Sequence, residues 1–118
     1  MIKEVTYQSL EAQIHNVRFW VCQIDPEQLK NWANALLNDT HFKVLKFSEH
    51  YFPKQGYTAF WLLSESHLAI HTFPQNGWTY FELSGCNKDR TMHFKQLAAQ
   101  SNQIIKWEKK DITTSLPD

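Results

Sequence analysis

From Val17 to Ile24 the run VRFWVCQI alternates imperfectly between apolar and polar side chains and is rich in β-branched and aromatic residues, which predicts a strand. The period then lengthens. Asp25-Pro26 supplies an N-cap and a first-turn proline, Glu27 adds a first-turn charge, and Leu29, Trp32, Ala33, Leu36 and Leu37 recur at helical spacing. A period of two returns from Phe42 to Phe52, with a shift between Val44 and Leu45, and stops before Pro53. Pro53-Lys54-Gln55-Gly56 reads as a turn, and Tyr57 to Leu63 as a central strand. His67 to Thr72 alternates, with Leu68 and Ile70 on one side and His67, Ala69 and His71 on the other. The linking Ser64-Glu65-Ser66 must be tight. Beyond the turn at Pro74-Gln75-Asn76-Gly77 lie a strand from Trp78 to Leu83, a helix from Arg90 to Ser101 and an edge strand from Ile104 to Glu108. The opening segment, Met1 to Asn16, is weakly patterned. The order β-α-β-β-β-β-α-β predicts an α+β fold, a two-layer α/β sandwich with an antiparallel sheet and both helices on one face.

A chain of 118 residues is expected to form one domain, 1–118, that buries roughly two thirds of its unfolded surface. Hydrophobic residues at 42% and charged residues at 20% argue against disorder. Twelve basic and twelve acidic residues cancel, so there is no electrostatic footprint for nucleic acid or for an anionic membrane. The longest mostly apolar run, Ala59 to Leu63, is far short of the ~20 residues that span a bilayer, and no apolar signal region opens the chain. A cytoplasmic location is the expectation. Cys22 and Cys86 have no spacing with histidine or with each other that suggests zinc, and no metal is expected.

Between Leu63 and Cys86 several reactive side chains gather. His67 and His71 share one face of a strand, Ser66 sits at the tight turn, and Cys86 ends the next strand. On pattern alone each also has an ordinary structural explanation: a turn hydroxyl, a hydrogen-bonded sheet histidine and a small buried thiol.

The run Glu65-Ser66-His67-Leu68-Ala69-Ile70-His71-Thr72-Phe73-Pro74, followed by Gly77 and Cys86, resembles the short prokaryotic kind of pyruvoyl-dependent S-adenosylmethionine decarboxylase proenzymes. That family carries E-S-H-x-x-I-H-T-[WY]-P-E, a glycine, and a strand ending in cysteine. His50-Tyr51-Phe52 with Gln55-Gly56, and Asp25-Pro26-Glu27-Gln28-Leu29, extend the resemblance over most of the chain, from about Arg18 to Gln100. The family's two-layer sandwich agrees with the element order above.

The resemblance implies a self-processing chain. Ser66 attacks the carbonyl of Glu65, the resulting ester undergoes β-elimination, and hydrolysis leaves a covalently derived pyruvoyl group in place of Ser66, with cleavage between Glu65 and Ser66. His71 matches the histidine that removes the Ser66 α-proton, a task suited to imidazole. Thr58 stands where the family has a serine that steadies the cyclic intermediate, and keeps its hydroxyl. In turnover the pyruvoyl carbonyl forms a Schiff base with the substrate amine and acts as electron sink. Cys86 matches the cysteine that returns a proton to the α-carbon. Its flanks, Ser84-Gly85-Cys86-Asn87, depart from the family's Thr-Cys-Gly. Phe52 matches the phenylalanine that stacks on adenine, and His67 is a further substrate-side candidate.

The main departure is Gln75, where the family has a glutamate that binds the ribose hydroxyls. Replacing a charge-assisted hydrogen bond of ~1.5–3 kcal/mol with a neutral one of ~0.5–1.5 costs roughly tenfold in affinity. S-adenosylmethionine, for polyamine and spermidine biosynthesis, is the first expectation as substrate. A free amino acid such as ornithine or arginine is the alternative, and a non-catalytic binding subunit a third reading. The resemblance also implies a homodimer with the site near the subunit interface, which the exposed side of an aromatic-rich sheet would suit.

Overall fold

Six strands and two helices follow in the predicted order in the computed structural model, which describes residues 13–108. They are β1 (His15–Val21), α1 (Pro26–Asp39), β2 (Val44–Tyr51), β3 (Tyr57–Leu63), β4 (Ser66–Phe73), β5 (Trp78–Gly85), α2 (Lys88–Gln100) and β6 (Ile104–Trp107). All but the last two residues of the sixteen-residue opening segment read as weakly patterned fall before β1, and Met1 to Ala12 lie outside the described residues.

Local chemistry sets these boundaries. Gln23 Oε1 accepts from the backbone N–H groups of Ile24 and Asp25, which draws the chain out of the ladder and ends β1 at Val21 instead of at Ile24. Asp25 then caps α1 by accepting from Gln28 N–H at 2.9 Å, with Pro26 in the first turn. Asn87 does the same for α2, accepting from Arg90 N–H at 2.9 Å, so that helix starts at Lys88, two residues before the predicted Arg90. The shift of period near Val44 is a break in register between Val44 and Lys46 where β2 meets β3.

The strands form one antiparallel sheet in the order β2-β3-β4-β5-β1-β6, which places β1 between β5 and β6. Alternate residues of the strands face the helices: Phe19, Trp61, Leu63, Leu68, Ile70 and Phe81 are buried in one core with Leu29, Leu37, Phe94 and Ala98 of α1 and α2. Phe19 stacks on Phe81 at 4.9 Å, and Trp61 donates its indole N–H to Asn34 of α1 at 2.8 Å. Both helices therefore cover one face, as predicted. The other face of the sheet carries His67, Ala69 and His71, together with Phe60, Leu62, Phe73 and Trp78, each of these last four exposed. No described helix is long and apolar enough to cross a membrane.

Candidate active site

The hairpin between β3 and β4 is closed by two residues, Ser64 and Glu65, between the paired Leu63 and Ser66. Ser66 is thus the first residue of β4, where the sequence pattern assigned it to the turn; the Leu63–Ser66 pair draws it into the ladder. Glu65 has φ 67°, in the left-handed region that disfavours a residue with a β-carbon. The backbone is consequently strained on the amino side of Ser66. Ser66 Oγ accepts a hydrogen bond from the N–H of Cys86 at 3.3 Å. Cys86 is one residue past the end of β5 and is exposed with a free thiol, which removes the reading of a small buried residue.

The second group of candidates lies farther along the same hairpin. His71 pairs with Thr58 across β4 and β3, and Thr58 Oγ1 and His71 Nδ1 share a hydrogen bond of 3.1 Å. His71 lies on β4 itself, as Ser66 does, and not on a neighbouring strand, because β4 runs unbroken from Ser66 to Phe73. Five residues at about 3.3 Å each separate the two by roughly 16 Å, and the odd spacing turns their side chains to opposite faces. Ser66 and Cys86 are brought together; Thr58 and His71 are brought together; one copy of the chain does not join the two pairs.

Beyond His71, Phe52 and Gly56 at one turn meet Thr72, Phe73 and Gln75 at the next to form an open pocket of about 250 Å³. Phe52 is exposed at 48%, so it is not a core aromatic at the end of its strand. Gly56 has φ 116°, a backbone conformation that residues with a β-carbon rarely adopt, and a β-carbon there would meet the Phe52 ring in ordinary contact at 3.5 Å. Phe73 and Thr72 are pocket residues that the motif alone did not single out, although both lie inside it. His67 stacks on Phe60 at 5.5 Å on the open face, away from this pocket.

Between the two groups the open face mixes the exposed Phe60 and Leu62 with a polar pair on β5. Tyr80, paired with His71, donates its hydroxyl to Glu82 Oε1 at 3.0 Å. Burial, with the nearby Glu82 carboxylate, pushes its phenol up to about 12, so it is a neutral donor across the physiological range. Among the described residues no cluster of histidine, cysteine and carboxylate side chains is arranged to hold a metal ion.

A family model for S-adenosylmethionine decarboxylase matches residues 10–112. The chain belongs to the S-adenosylmethionine decarboxylase family. Within it, the chain is 45% identical over 49 residues to an S-adenosylmethionine decarboxylase proenzyme of Prochlorococcus marinus strain MIT 9313, a stretch covering 42% of this chain and 38% of that one. A proenzyme of the same description from Clostridium botulinum strain Hall is 37% identical over 62 residues, 52% of this chain and 50% of the relative. Another, from Prochlorococcus marinus strain MIT 9211, is 34% identical over 77 residues, 64% and 62% of the two chains. The chain thus spans about half the length of the curated relatives it matches. The crystal structure of the adenosylmethionine decarboxylase from Aquifex aeolicus VF5 shares the fold, with a TM-score of 0.60 at 15% identity over 92% of this chain and 99% of that one.

Proposed function

We propose that the chain is a proenzyme that cuts itself between Glu65 and Ser66 and then decarboxylates S-adenosylmethionine, as a step towards polyamines such as spermidine. The observation that carries this reading is the Glu65–Ser66 bond at a two-residue hairpin turn, with Glu65 at φ 67° and Ser66 Oγ held by the Cys86 amide.

In this reading Ser66 Oγ bonds to the Glu65 carbonyl carbon as the C–N bond breaks and the hydroxyl proton passes to the freed nitrogen. Thr58 donates to the oxygen of the cyclic intermediate, and His71 takes the Ser66 α-proton as the Glu65 carboxylate departs. Water then enters and ammonia leaves, giving the pyruvoyl terminus of 66–118. These residues fit that group: a serine behind a strained turn, a hydroxyl bonded to an imidazole, and an exposed thiol beside the serine. The pyruvoyl group supplies a ketone that draws electrons from the substrate α-carbon as carbon dioxide leaves. Cys86 returns a proton to that carbon. Phe52 offers an aromatic face to adenine and Gln75 a side-chain amide to the ribose hydroxyls; His67 is stacked on Phe60 instead, outside this pocket.

A second copy of the chain completes the site. This is supported by the separation of Ser66 from His71 and by the exposed Phe60, Leu62, Phe73 and Trp78 on the face that carries His71. Each copy then lends Thr58 and His71 to the Ser66 of its partner. Free thiols at Cys22 and Cys86 support work in a reducing compartment such as the cytoplasm. The balanced charge favours a small-molecule substrate over nucleic acid.

Intact-mass measurement of freshly made protein tests the first step. The expected result is two fragments, 1–65 and 66–118, the second blocked at its N-terminus, with Ser66→Ala uncut; a persistent single species of 14.0 kDa overturns the reading. Carbon dioxide release from S-adenosylmethionine, ornithine and arginine tests the second. Gln75→Glu is expected to tighten S-adenosylmethionine binding by about tenfold, through a charge-assisted bond to the ribose diol. Wild-type release confined to a free amino acid, with no gain in the variant, replaces the nucleoside substrate with that amino acid.

A further inference from the structure

We infer that Thr91 is the positioning residue for the Ser66–Cys86 pair, and that self-cleavage runs at full rate only while Thr91 holds the chain on both sides of Cys86. The inference rests on the reading above and adds a residue to it. Cys86 is the one residue between the end of β5 and the N-cap of α2. Its side chain is exposed, so the place of its amide is set by its neighbours.

Thr91 fixes both neighbours. On one side, a β-carbon at Gly85 would collide with Thr91 Oγ1 and lie only 3.3 Å from Thr91 Cβ, so the end of β5 is seated directly against the threonine. On the other side, the Asn87 carbonyl accepts from Thr91 N–H at 3.0 Å and from its hydroxyl at 2.7 Å. Thr91 is fully buried, although it lies on a helix whose outer residues are polar. The amide held between these two points donates to Ser66 Oγ at 3.3 Å, already the long end of the hydrogen-bond range, so a shift of a few tenths of an ångström breaks it. The departure at Ser84-Gly85-Cys86-Asn87 acquires a physical reason here. With Thr91 packed on the residue before the cysteine, that residue has to be glycine.

The test is the self-cleavage rate of freshly folded precursor, followed by intact mass at a temperature where circular dichroism shows each variant folded. Thr91→Val keeps the volume but loses the hydroxyl, and is expected to cleave about tenfold more slowly than the wild type, whereas Thr91→Ser stays within about twofold. Gly85→Ala, whose β-carbon is driven into Thr91 Oγ1, is expected to slow cleavage at least as much. Equal rates for wild type and Thr91→Val, or a Thr91→Ser as slow as Thr91→Val, overturn the inference. Should Thr91→Val not fold, Gly85→Ala decides: a folded Gly85→Ala that cleaves at the wild-type rate overturns it. A wild type that stays uncut fails the proposed function instead, and amide exchange of Cys86 then decides on Thr91. In that state Thr91→Val must raise the exchange rate at least about tenfold and Thr91→Ser leave it near the wild-type value; unchanged exchange in both overturns the inference.

Discussion

Cys86 contributes two separate groups, and substitution can tell them apart. Its amide faces Ser66 Oγ, while its thiol is free and exposed. Cys86→Ala retains the amide, so it is expected to cleave within about threefold of the wild-type rate, since the loss is of a thiol not bonded to the serine. It is also expected to stop after few turnovers, as protons reach the wrong carbon and the blocked N-terminus of 66–118 turns into alanine. Mass measurement of that fragment after exposure to substrate checks this, and sustained turnover with an unaltered terminus removes the thiol from the reaction. The candidates Ser66, His71 and Cys86 come from the E-S-H…H-T-x-P run and the cysteine after it. Their grouping was less legible: the sequence pattern put Ser66 in the turn, and only a strand that holds both sets the oddly spaced pair on opposite faces. Thr91 was not legible: its contact with Gly85 joins two elements, and nothing in the local pattern around a threonine in the first turn and a half of a polar helix marks that approach.

Strand periodicity translated well into elements wherever a run is bounded by strong local chemistry. Tyr57 to Leu63 is bounded by Gly56 and by the two-residue turn, and its limits match the sequence pattern residue for residue. β1 was misjudged at its far end because its limit depends on one side chain, Gln23, competing for the backbone. The partner of β6 was not legible at all, since four residues carry no record of which edge they pair with. β6 is held to β1 in part by Trp20, whose indole donates to Glu108 Oε2 at 2.9 Å. That bond, with Lys106 at 3.4 Å, holds the Glu108 carboxyl below its ordinary 4.5. A carboxyl lowered by folding stabilises the fold above its unfolded value, and the contribution is lost as the pH falls through the folded one. Docking of β6 is therefore expected to weaken on acidification below about pH 4.5, with a change in tryptophan emission that Glu108→Gln no longer shows. Glu49, also held below its ordinary value, by the Tyr57 hydroxyl and Lys30, lies on the opposite edge, so the emission change that Glu108→Gln removes and not global unfolding is the reading to compare.

For the whole molecule, the separation of the Ser66–Cys86 pair from the Thr58–His71 pair makes a prediction about mixtures under the proposed function. Ser66→Ala chains and His71→Ala chains are each expected to remain uncleaved or to stall at the ester. After the two are unfolded and refolded together, the His71→Ala chains are expected to cleave at roughly half their copies or fewer, since random pairing of subunits gives that share an intact partner. No cleavage in the mixture would confine the chemistry to one chain. Strand order has a different consequence, for what becomes of a molecule once it is cut. Residues 1–65 carry β1, α1, β2 and β3, and residues 66–118 carry β4, β5, α2 and β6, yet β1 lies between β5 and β6. The pieces are interleaved like the fingers of two hands: parting them means drawing a strand from between two neighbours, against both ladders at once. The proposed nick would thus alter the chain's covalent connectivity and leave its assembly whole, and the fragments should travel as one particle until a denaturant unlaces them.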